Sequence, residues 1–185
     1  NIPIVRKEDW ETPIQITTSG PDSQWESIQQ LYFSLISSAE KNIYIQSPYF
    51  VPDSTILLAL KTAALSGLDV KVMMTGIPDK YLPFWSAQTF FKDLLKAGVK
   101  IYQYQKGFLH AKTISVDGEV CSIGTANMDM RSFHLNYEIS TLIYDKKTTQ
   151  ELVADFGNDM KGCNEVTLED YKKLSELTKF RNSLA

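Results

Sequence analysis

The sequence predicts an α/β fold in which a mixed β-sheet is flanked by helices on both faces. Residues 24–104 alternate helical and strand patterns, at the spacing of parallel strands joined by covering helices. Residues 110–144 then carry three strand patterns with short connections, which favours antiparallel pairing. The composition agrees, because 43% of the 185 residues are hydrophobic, enough for a sizeable core.

The first half of the chain alternates strands with helices. The strand patterns are rich in β-branched or apolar residues, and they span residues 14–17, 42–46, 68–74 and 99–104. The helical patterns carry apolar residues three and four positions apart, and they span residues 25–39, 53–65 and 83–97. Asp53 or Ser54 is the predicted N-cap of the second helix, while Gly67 and Gly98 end the second and third.

Strands come first in the second half of the chain, and helices follow. The strand patterns cover residues 110–116, 119–124 and 137–144. Asp117-Gly118 between the first two is a strong hairpin signal, because this pair favours the tight turn of a two-residue hairpin. The helical patterns that follow cover residues 146–160 and 167–182. We expect the strand that begins at residue 110 to lie near the centre of the sheet.

These elements divide the chain into one domain with two flanking segments. Residues 1–13 hold two prolines and several charges, and they are predicted to link from a preceding domain. Residues 14–162 form the predicted domain, and residues 163–185 form a C-terminal helical extension. Because the chain begins with Asn1 rather than Met, we expect it to be a piece of a longer protein. It holds no apolar run of 18 residues that would cross a bilayer.

The charge balance disfavours a nucleic-acid partner. Lys and Arg number 19 against 22 Asp and Glu, for a net charge of −3, whereas a nucleic-acid-binding domain usually carries a basic face. No His, Cys or Asp cluster has the spacing of metal ligands, so we expect no metal site. The sequence also has no Gly-rich nucleotide loop and no nucleophile elbow. We therefore expect no cofactor.

One segment carries residues suited to catalysis on an anionic substrate. It contains His110-Ala111-Lys112, followed by Asp117, Gly124-Thr125-Ala126-Asn127 and Glu138. Alternate residues of a strand share a face, so His110 and Lys112 are predicted to point the same way, with Ala111 buried behind them. A lysine amine binds negative oxygens, while an imidazole attacks or protonates.

Further candidates surround this pair. Thr125 and Asn127 lie in a loop of small residues that a phosphate can approach, and both side chains offer hydrogen bonds. Glu138 is the candidate carboxylate that holds the second imidazole nitrogen of His110 and fixes its tautomer. Asp117 lies in the predicted turn, which favours a structural role for it.

Three aromatic residues are candidates for a substrate wall. Tyr49 and Phe50 follow the end of a strand, a common place for ligand walls in α/β folds, although a core position is an equal alternative. His134 favours a structural role, with contact to a substrate hydroxyl as the alternative. Partial burial is favoured for Trp85, with contact with lipid near the mouth of the active site as the alternative hypothesis.

The spacing His110-x-Lys112-x4-Asp117-x6-Gly124-Thr125-x-Asn127 resembles the HKD motif of the phospholipase D superfamily. Ser is commoner than Thr at position 125 in that motif. Residues 45–53 and 124–138 are similar to the C-terminal half of bacterial cardiolipin synthases. The resemblance runs from about residue 14 to 175 and implies a phospholipase D-like sandwich.

The resemblance also implies a reaction that needs no metal and no cofactor. In this superfamily two HKD motifs face each other across a cleft. One histidine forms a phosphohistidine, and the other protonates the leaving alcohol. Cardiolipin synthases condense two phosphatidylglycerol molecules to cardiolipin and glycerol. By resemblance, His110 is the acid/base of the second motif, Lys112, Thr125 and Asn127 bind phosphate, and Asp117 and Gly124 are structural parts of the motif.

This chain departs from the superfamily pattern because it has one HKD motif. Its only other histidine, His134, is followed by Leu135-Asn136 and begins no second motif. The resemblance therefore implies half of an active site, completed by a preceding domain or by a second copy. The implied partners are phosphatidylglycerol, membrane lipid and that other half. The implied location is the cytoplasmic face of the bacterial cell membrane, within a longer anchored protein whose present piece is soluble.

Two alternatives remain beside the phosphatidyltransferase. One is a dimeric phosphodiesterase or nuclease of the same superfamily, which the acidic charge balance disfavours. The other is a catalytically silent lipid-binding module, which the intact His110 and Lys112 disfavour. Residues 167–182 could form a membrane-surface helix, but their interleaved charges favour an ordinary solvated helix.

Overall fold

An eight-stranded sheet and a short two-stranded ladder organise the chain. The computed structural model describes residues 12–185. In chain order the strands are β1 (Ile14–Ser19), β2 (Asn42–Gln46), β3 (Phe50–Val51), β4 (Asp69–Thr75), β5 (Lys100–Tyr104), β6 (Thr113–Val116), β7 (Val120–Gly124), β8 (Met128–Asp129), β9 (Glu138–Ile143) and β10 (Cys163–Val166). The helices are α1 (Ser27–Ser37), α2 (Ser54–Leu65), α3 (Tyr81–Ala97), α4 (Met130–His134), α5 (Lys146–Met160), α6 (Leu168–Lys173) and α7 (Glu176–Ser183).

The large sheet is mixed, as predicted. Its strand order is β1-β9-β7-β6-β2-β4-β5-β10, and β3 pairs with β8 in the small ladder. Strands β2, β4 and β5 run parallel to one another. The strands from β6 to β1 pair antiparallel, and so does β10 at the opposite edge. The predicted central position of the strand after His110 is confirmed, since β6 is fourth in the order.

Helices cover both faces of the sheet. Apolar residues of α1, α2 and α3 pack on the face that carries Ile43, Ile45 and Val72. On the opposite face Phe156 of α5 stacks on Tyr44, with ring centroids 5.2 Å apart. The alternation along β2 explains this division, because neighbouring residues of a strand point to opposite faces. The predicted sheet with helices on both faces is confirmed.

The predicted hairpin forms at Asp117-Gly118, between β6 and β7. The two residues have φ values of 57° and 68°, as a type I′ turn requires. The Asp117 carboxylate also accepts hydrogen bonds from the backbone N–H groups of Glu40, Lys41 and Asn42, at 2.7–2.9 Å. The turn is thereby fastened to the start of β2.

The start of β6 differs from the prediction, because the strand begins at Thr113 rather than at residue 110. Its neighbour β2 pairs with it only as far as Gln46, which lies opposite Thr113. On the other side β7 ends at Gly124, whose N–H donates to the Lys112 carbonyl at 3.2 Å. His110 and Lys112 therefore lie in the chain that leads into β6, at the edge of the sheet.

The C-terminal segment also differs from the predicted helical extension. Cys163–Val166 form the edge strand β10 beside β5, so the sheet continues past the predicted boundary. The single helix predicted over residues 167–182 is divided into α6 and α7. Leu174 between them has an extended ψ of 133°, and Ser175 caps α7 through its side chain. Serine is a favoured N-cap, which explains the new helix start.

Candidate active site

His110 stands where the parallel strands end. Because β6 runs antiparallel to β2, the beginning of β6 lies at the carboxyl end of β2. Ligands of open α/β sheets bind outside the carboxyl ends of the strands. The His110 side chain is exposed at this edge, three residues before β6 begins. Its imidazole can therefore meet a substrate that approaches from solvent.

An aromatic row lies beside the imidazole. The ring of Phe108 is 5.7 Å from that of His110 and 6.5 Å from that of Tyr49, measured between centroids. The Tyr49 hydroxyl donates to the Asp79 carboxylate at 2.7–2.8 Å. Desolvation together with this carboxylate raises the pKa of Tyr49 to about 12. Tyr49 therefore stays neutral and forms part of a wall that leads to His110.

Lys112 is half-buried next to His110. Its Nζ donates to the His110 carbonyl at 2.9 Å. Burial lowers the pKa of Lys112, while the carboxylates of Glu138 and Asp129 raise it. A cation with little water around it attracts an anion more strongly than an exposed one, because the local dielectric constant is lower. Lys112 can thus bind a phosphate beside His110, although its recorded partner is a backbone carbonyl.

Gly124 allows β7 to approach β9 closely. A Cβ atom built on Gly124 would lie 2.4 Å from the Ile139 carbonyl oxygen and 2.7 Å from the Ser140 Cα. Such contacts exclude any larger side chain unless the strands move apart. The need for glycine here is steric and involves no unusual φ. The structural role that the sequence assigns to Gly124 thus has a definite physical basis.

Glu138 contacts Thr125 rather than the predicted His110. Its carboxylate accepts hydrogen bonds from the Thr125 hydroxyl and, at 3.2 Å, from Nδ2 of Asn136. Among residues 12–185 no hydrogen bond joins Glu138 to His110. The register explains the difference, because the Thr125 N–H donates to the Ile139 carbonyl at 2.9 Å and so places the hydroxyl beside Glu138. Thr125 therefore holds a carboxylate in addition to lying in the predicted phosphate loop.

The loop that carries Asn127 is held from two sides. The Asn127 N–H donates to Oγ of Ser132 at 3.1 Å, and the Met128 N–H donates to Oγ of Ser47 at 2.9 Å. The side-chain oxygen of Asn127 is buried and has no hydrogen-bond partner within residues 12–185. An unpaired buried polar atom is costly, so this amide is a candidate for pairing with a ligand.

Three predicted residues lie apart from the imidazole. Phe50 is buried in the core at 1% exposure, so it does not line the site as a substrate wall. Its strand β3 turns it inward, while the neighbouring Tyr49 faces Asp79. Nδ1 of His134 lies 3.7 Å from the Glu26 carboxylate at the start of α1. Asp117 is in the hairpin turn.

Sequence reasoning missed Phe108, Ser47 and Asp79. Phe108 had a signal, because it precedes His110 by two residues as Lys112 follows it by two, the period of one strand face. Ser47 directly follows β2, and Asp79 comes shortly after β4. Side chains at strand ends often line a site, but these positions do not identify the residues that Ser47 and Asp79 contact. Tyr49 and Met128, which they contact, are brought to them by the fold.

Residues 12–185 contain neither a metal-ligand cluster nor a membrane-spanning helix. No group of three or more His, Cys, Asp or Glu side chains there could hold a metal ion. Within the same residues, no helix has both the length and the hydropathy to cross a membrane.

Comparison with known proteins agrees with the HKD spacing. The family described as "Cardiolipin synthase, PLD-like domain" matches residues 32–160, more than half of the chain. A protein named cardiolipin synthase from Geobacillus sp. (strain WCH70) is 52% identical over 165 residues, covering 89% of this chain and 33% of the relative. The chain thus spans about a third of the length of this curated relative.

Solved structures of the superfamily share the fold. Nuc, a phospholipase D family member from Salmonella typhimurium, has a TM-score of 0.73 at 20% identity, with 85% of this chain and 99% of that one covered. Phosphatidylserine synthase from Haemophilus influenzae Rd KW20 has a TM-score of 0.73 at 18% identity, with 92% and 44% covered. These identities support the fold alone. The family match and the fold together show that the chain belongs to the phospholipase D-like domain family of cardiolipin synthases.

Proposed function

We propose that this chain is one catalytic half of a phosphatidyltransferase that condenses two phosphatidylglycerols to cardiolipin and glycerol. The observation that carries the proposal is the pairing of an exposed imidazole, His110, with a half-buried amine, Lys112, at the carboxyl ends of the strands. An amine beside an imidazole suits a phosphodiester, because one group binds the oxygens while the other transfers the proton. The relatives named cardiolipin synthase supply the proposed substrate.

The reaction proceeds in two steps that balance. A histidine of the other half attacks the phosphorus of the first phosphatidylglycerol, and the bond between phosphorus and the glycerol oxygen breaks. His110 gives a proton to that oxygen, and glycerol leaves. His110 then takes a proton from a hydroxyl of the second phosphatidylglycerol, whose oxygen attacks phosphorus and releases the first histidine. The Lys112 amine and the side-chain N–H groups of Asn127 donate to the phosphate oxygens throughout.

Glu138 acts in this proposal as a positioning residue. Its carboxylate holds Thr125 and raises the pKa of Lys112, against the effect of burial. It therefore opposes the effect of burial on the pKa of Lys112 without contacting the substrate itself.

The other half must meet this edge of the sheet, and we propose that it docks against the part of the α5 face that α5 leaves uncovered. Ile14, Ile16, Ile123 and Ile139 are exposed on β1, β7 and β9. They share a face, since Thr141 lies between Ile16 and Ile123 in the register and Ile139 is two residues away. We assign to this face a second phospholipase D-like domain, because the chain carries one HKD motif and spans a third of its relatives.

Turnover of phosphatidylglycerol in vesicles, with EDTA present, tests the proposed function. The chain is mixed with the remaining two thirds of the Geobacillus relative and assayed for cardiolipin. We expect His110→Ala to lower turnover by roughly 100-fold or more. His134→Ala, which removes the only other histidine, should retain it. Ile16→Lys should weaken association with the added portion, while Leu58→Lys on the opposite side should not.

The possible outcomes distinguish the phosphatidyltransferase from the two alternative functions. Cardiolipin formed by this chain alone would assign the second motif to another copy of it. No product from the mixture, despite association of the two portions and vesicle binding, would favour the lipid-binding module and overturn the phosphatidyltransferase. Cleavage of DNA that depends on His110 would favour the nuclease.

A further inference from the structure

A groove of about 670 Å³ opens beside the candidate active site, between the beginnings of α3 and α4. Leu82 and Pro83 line it from α3, and Val51 and Met130 line it from the small ladder and α4. A volume of this size suits a ligand with several carbon–carbon bonds rather than a single ion.

The apolar side chains of the groove are solvent-exposed. Leu82 is 62% exposed and Met130 is 53% exposed. Tyr81, next to Leu82, is exposed as well, and it pairs with Trp85 one turn further along α3. Contiguous exposed apolar surface marks a site for a partner, a ligand or a membrane. Trp85, in contrast, is half-buried beneath Arg181 of α7, 4.3 Å from its guanidinium, so the hypothesised lipid contact moves from Trp85 to its neighbours.

The groove continues from the aromatic row at His110. Asp79 lines the groove and accepts the hydrogen bond of Tyr49, which is one ring away from Phe108 and two from His110. On the other side Asp129 lines the groove and contributes to the electrostatics of Lys112. A molecule whose phosphate lies between His110 and Lys112 can therefore extend its tail into the groove.

The charges that line the groove balance, with Lys80 and Arg131 beside Asp79 and Asp129. The hydrogen bonds that the two carboxylates accept come from neutral donors, the Tyr49 hydroxyl and the Ser132 N–H, and do not cancel their charge. Within residues 12–185 neither Lys80 nor Arg131 forms an ion pair, so both side chains can contact lipid phosphates.

We propose that this groove holds an acyl chain of an anionic phospholipid, with Lys80 and Arg131 against the headgroups, when the domain lies on a bilayer. The inference rests on the proposed function for the phosphate position, but its physical basis is the groove itself. Tyr81 at the rim fits this orientation, because tyrosine favours the depth of the headgroups.

Vesicle binding by the whole chain tests the proposal without requiring turnover. The probes are vesicles of pure phosphatidylcholine and vesicles that contain phosphatidylglycerol, measured by flotation at low salt. We expect preference for the anionic vesicles. The double variant Leu82→Ser and Met130→Ser should lower binding to them by about tenfold or more. The pair Lys80→Gln and Arg131→Gln should abolish the preference for phosphatidylglycerol.

A matched control replaces Leu58 and Leu65 of α2 by serine, since these are 63% and 71% exposed but lie away from the groove. This control should bind as the wild type does, and all variants should show unchanged far-ultraviolet circular dichroism. Equal binding by the groove variant and the control would overturn the proposal, as would no binding by the wild type. Self-association that the groove variant abolishes would assign the surface to a second copy instead.

Vesicle binding and turnover, measured side by side on the wild-type protein, separate this proposal from the proposed function. Vesicle binding with no turnover in the completed enzyme would overturn the phosphatidyltransferase and leave the groove assignment standing. Turnover of a soluble short-chain substrate with no vesicle binding would overturn the groove assignment and leave the phosphatidyltransferase standing.

Discussion

Thr125 donates its hydroxyl hydrogen to the carboxylate of Glu138, across the gap between β7 and β9. The same hydroxyl accepts a hydrogen bond from the Ile139 N–H at 3.0 Å. One small side chain thus connects the loop that follows β7 with the strand that carries the carboxylate. The consequence is that Glu138 is fixed in place near Lys112, whose pKa it raises.

Replacing Thr125 tests this connection. Thr125→Val keeps the shape of the side chain but leaves the Ile139 N–H without its partner, so we expect a loss of about 1 kcal/mol in the free energy of unfolding. Thr125→Ser retains the hydroxyl and should lose less than half as much. Urea denaturation measures both values. Equal stability of the valine and serine variants would mean that the hydroxyl contributes nothing.

Glu138→Gln tests the effect of the carboxylate on Lys112. Burial lowers the pKa of Lys112 and Glu138 raises it, so removal of the negative charge should lower that pKa further. The sign is definite: the variant amine loses its proton, and with it the affinity for phosphate, at a lower pH than the wild-type amine. Titration of the Lys112 ε-methylene signal by NMR follows the change directly and needs no turnover.

Two substitutions serve as references for that titration. Glu119→Gln removes an exposed carboxylate of the β6–β7 turn and should leave the Lys112 titration unchanged. Asp129→Asn removes the second carboxylate that raises the pKa of Lys112, so it should move the titration in the same direction as Glu138→Gln. A higher pKa of Lys112 in Glu138→Gln or in Asp129→Asn would contradict the conclusion that these two carboxylates raise it.

Asp117 is expected to matter for stability rather than for chemistry. Its carboxylate accepts from three backbone N–H groups at the start of β2, and its φ of 57° is one that alanine adopts poorly. Asp117→Ala should lower the free energy of unfolding by about 2–3 kcal/mol. Glu119→Ala, two residues away and exposed, should change it by less than about 0.5 kcal/mol.

Turnover by the completed enzyme distinguishes the two roles of Asp117. Below the melting transition, Asp117→Asn should retain the wild-type rate, because Asn tolerates positive φ and offers one acceptor. A rate loss comparable to that of His110→Ala, in a folded Asp117→Asn protein, would place Asp117 in the catalytic machinery instead.

Local patterns were sufficient for most of the fold. Runs of β-branched or apolar residues identified β2 and β4, and Asp117-Gly118 identified the hairpin, because these signals depend on neighbours in sequence. The single helix predicted over residues 167–182 was wrong because charged residues suit a helix on both sides of Leu174, where the chain becomes extended. Similar patterns allow either outcome, and packing decides between them.

The candidate site also depends partly on local sequence patterns and partly on packing between distant elements. His110 and Lys112 lie in the chain that leads into β6, and the Lys112 amine donates to the backbone carbonyl of His110. That their side chains share one face stays a prediction. The carboxylate partner of His110 was not predictable in this way. Glu138 is 28 residues further along, and whether it meets His110 or Thr125 depends on the register of β9 against β7. The spacing of residues within one strand does not determine that register, because the connection between β7 and β9 contains the helix α4.

Gly124 gives the most demanding test of the strand approach beside the site. In Gly124→Ala the new Cβ would meet the Ile139 carbonyl oxygen at 2.4 Å and Oγ of Ser140 at 2.5 Å. The backbone atom cannot move without separating β7 from β9, so we expect a loss of about 2–3 kcal/mol in the free energy of unfolding, as in overpacked cores.

Gly157→Ala is the matched control, because Gly157 lies inside α5 and its Cβ would meet nothing within 4 Å. Since alanine favours a helix over glycine, the control should gain about 0.5–1 kcal/mol. Opposite signs for the same substitution, measured by urea denaturation, would tie the requirement at Gly124 to the close approach of the strands. A gain in stability at both positions would show that β7 and β9 have room for a side chain there.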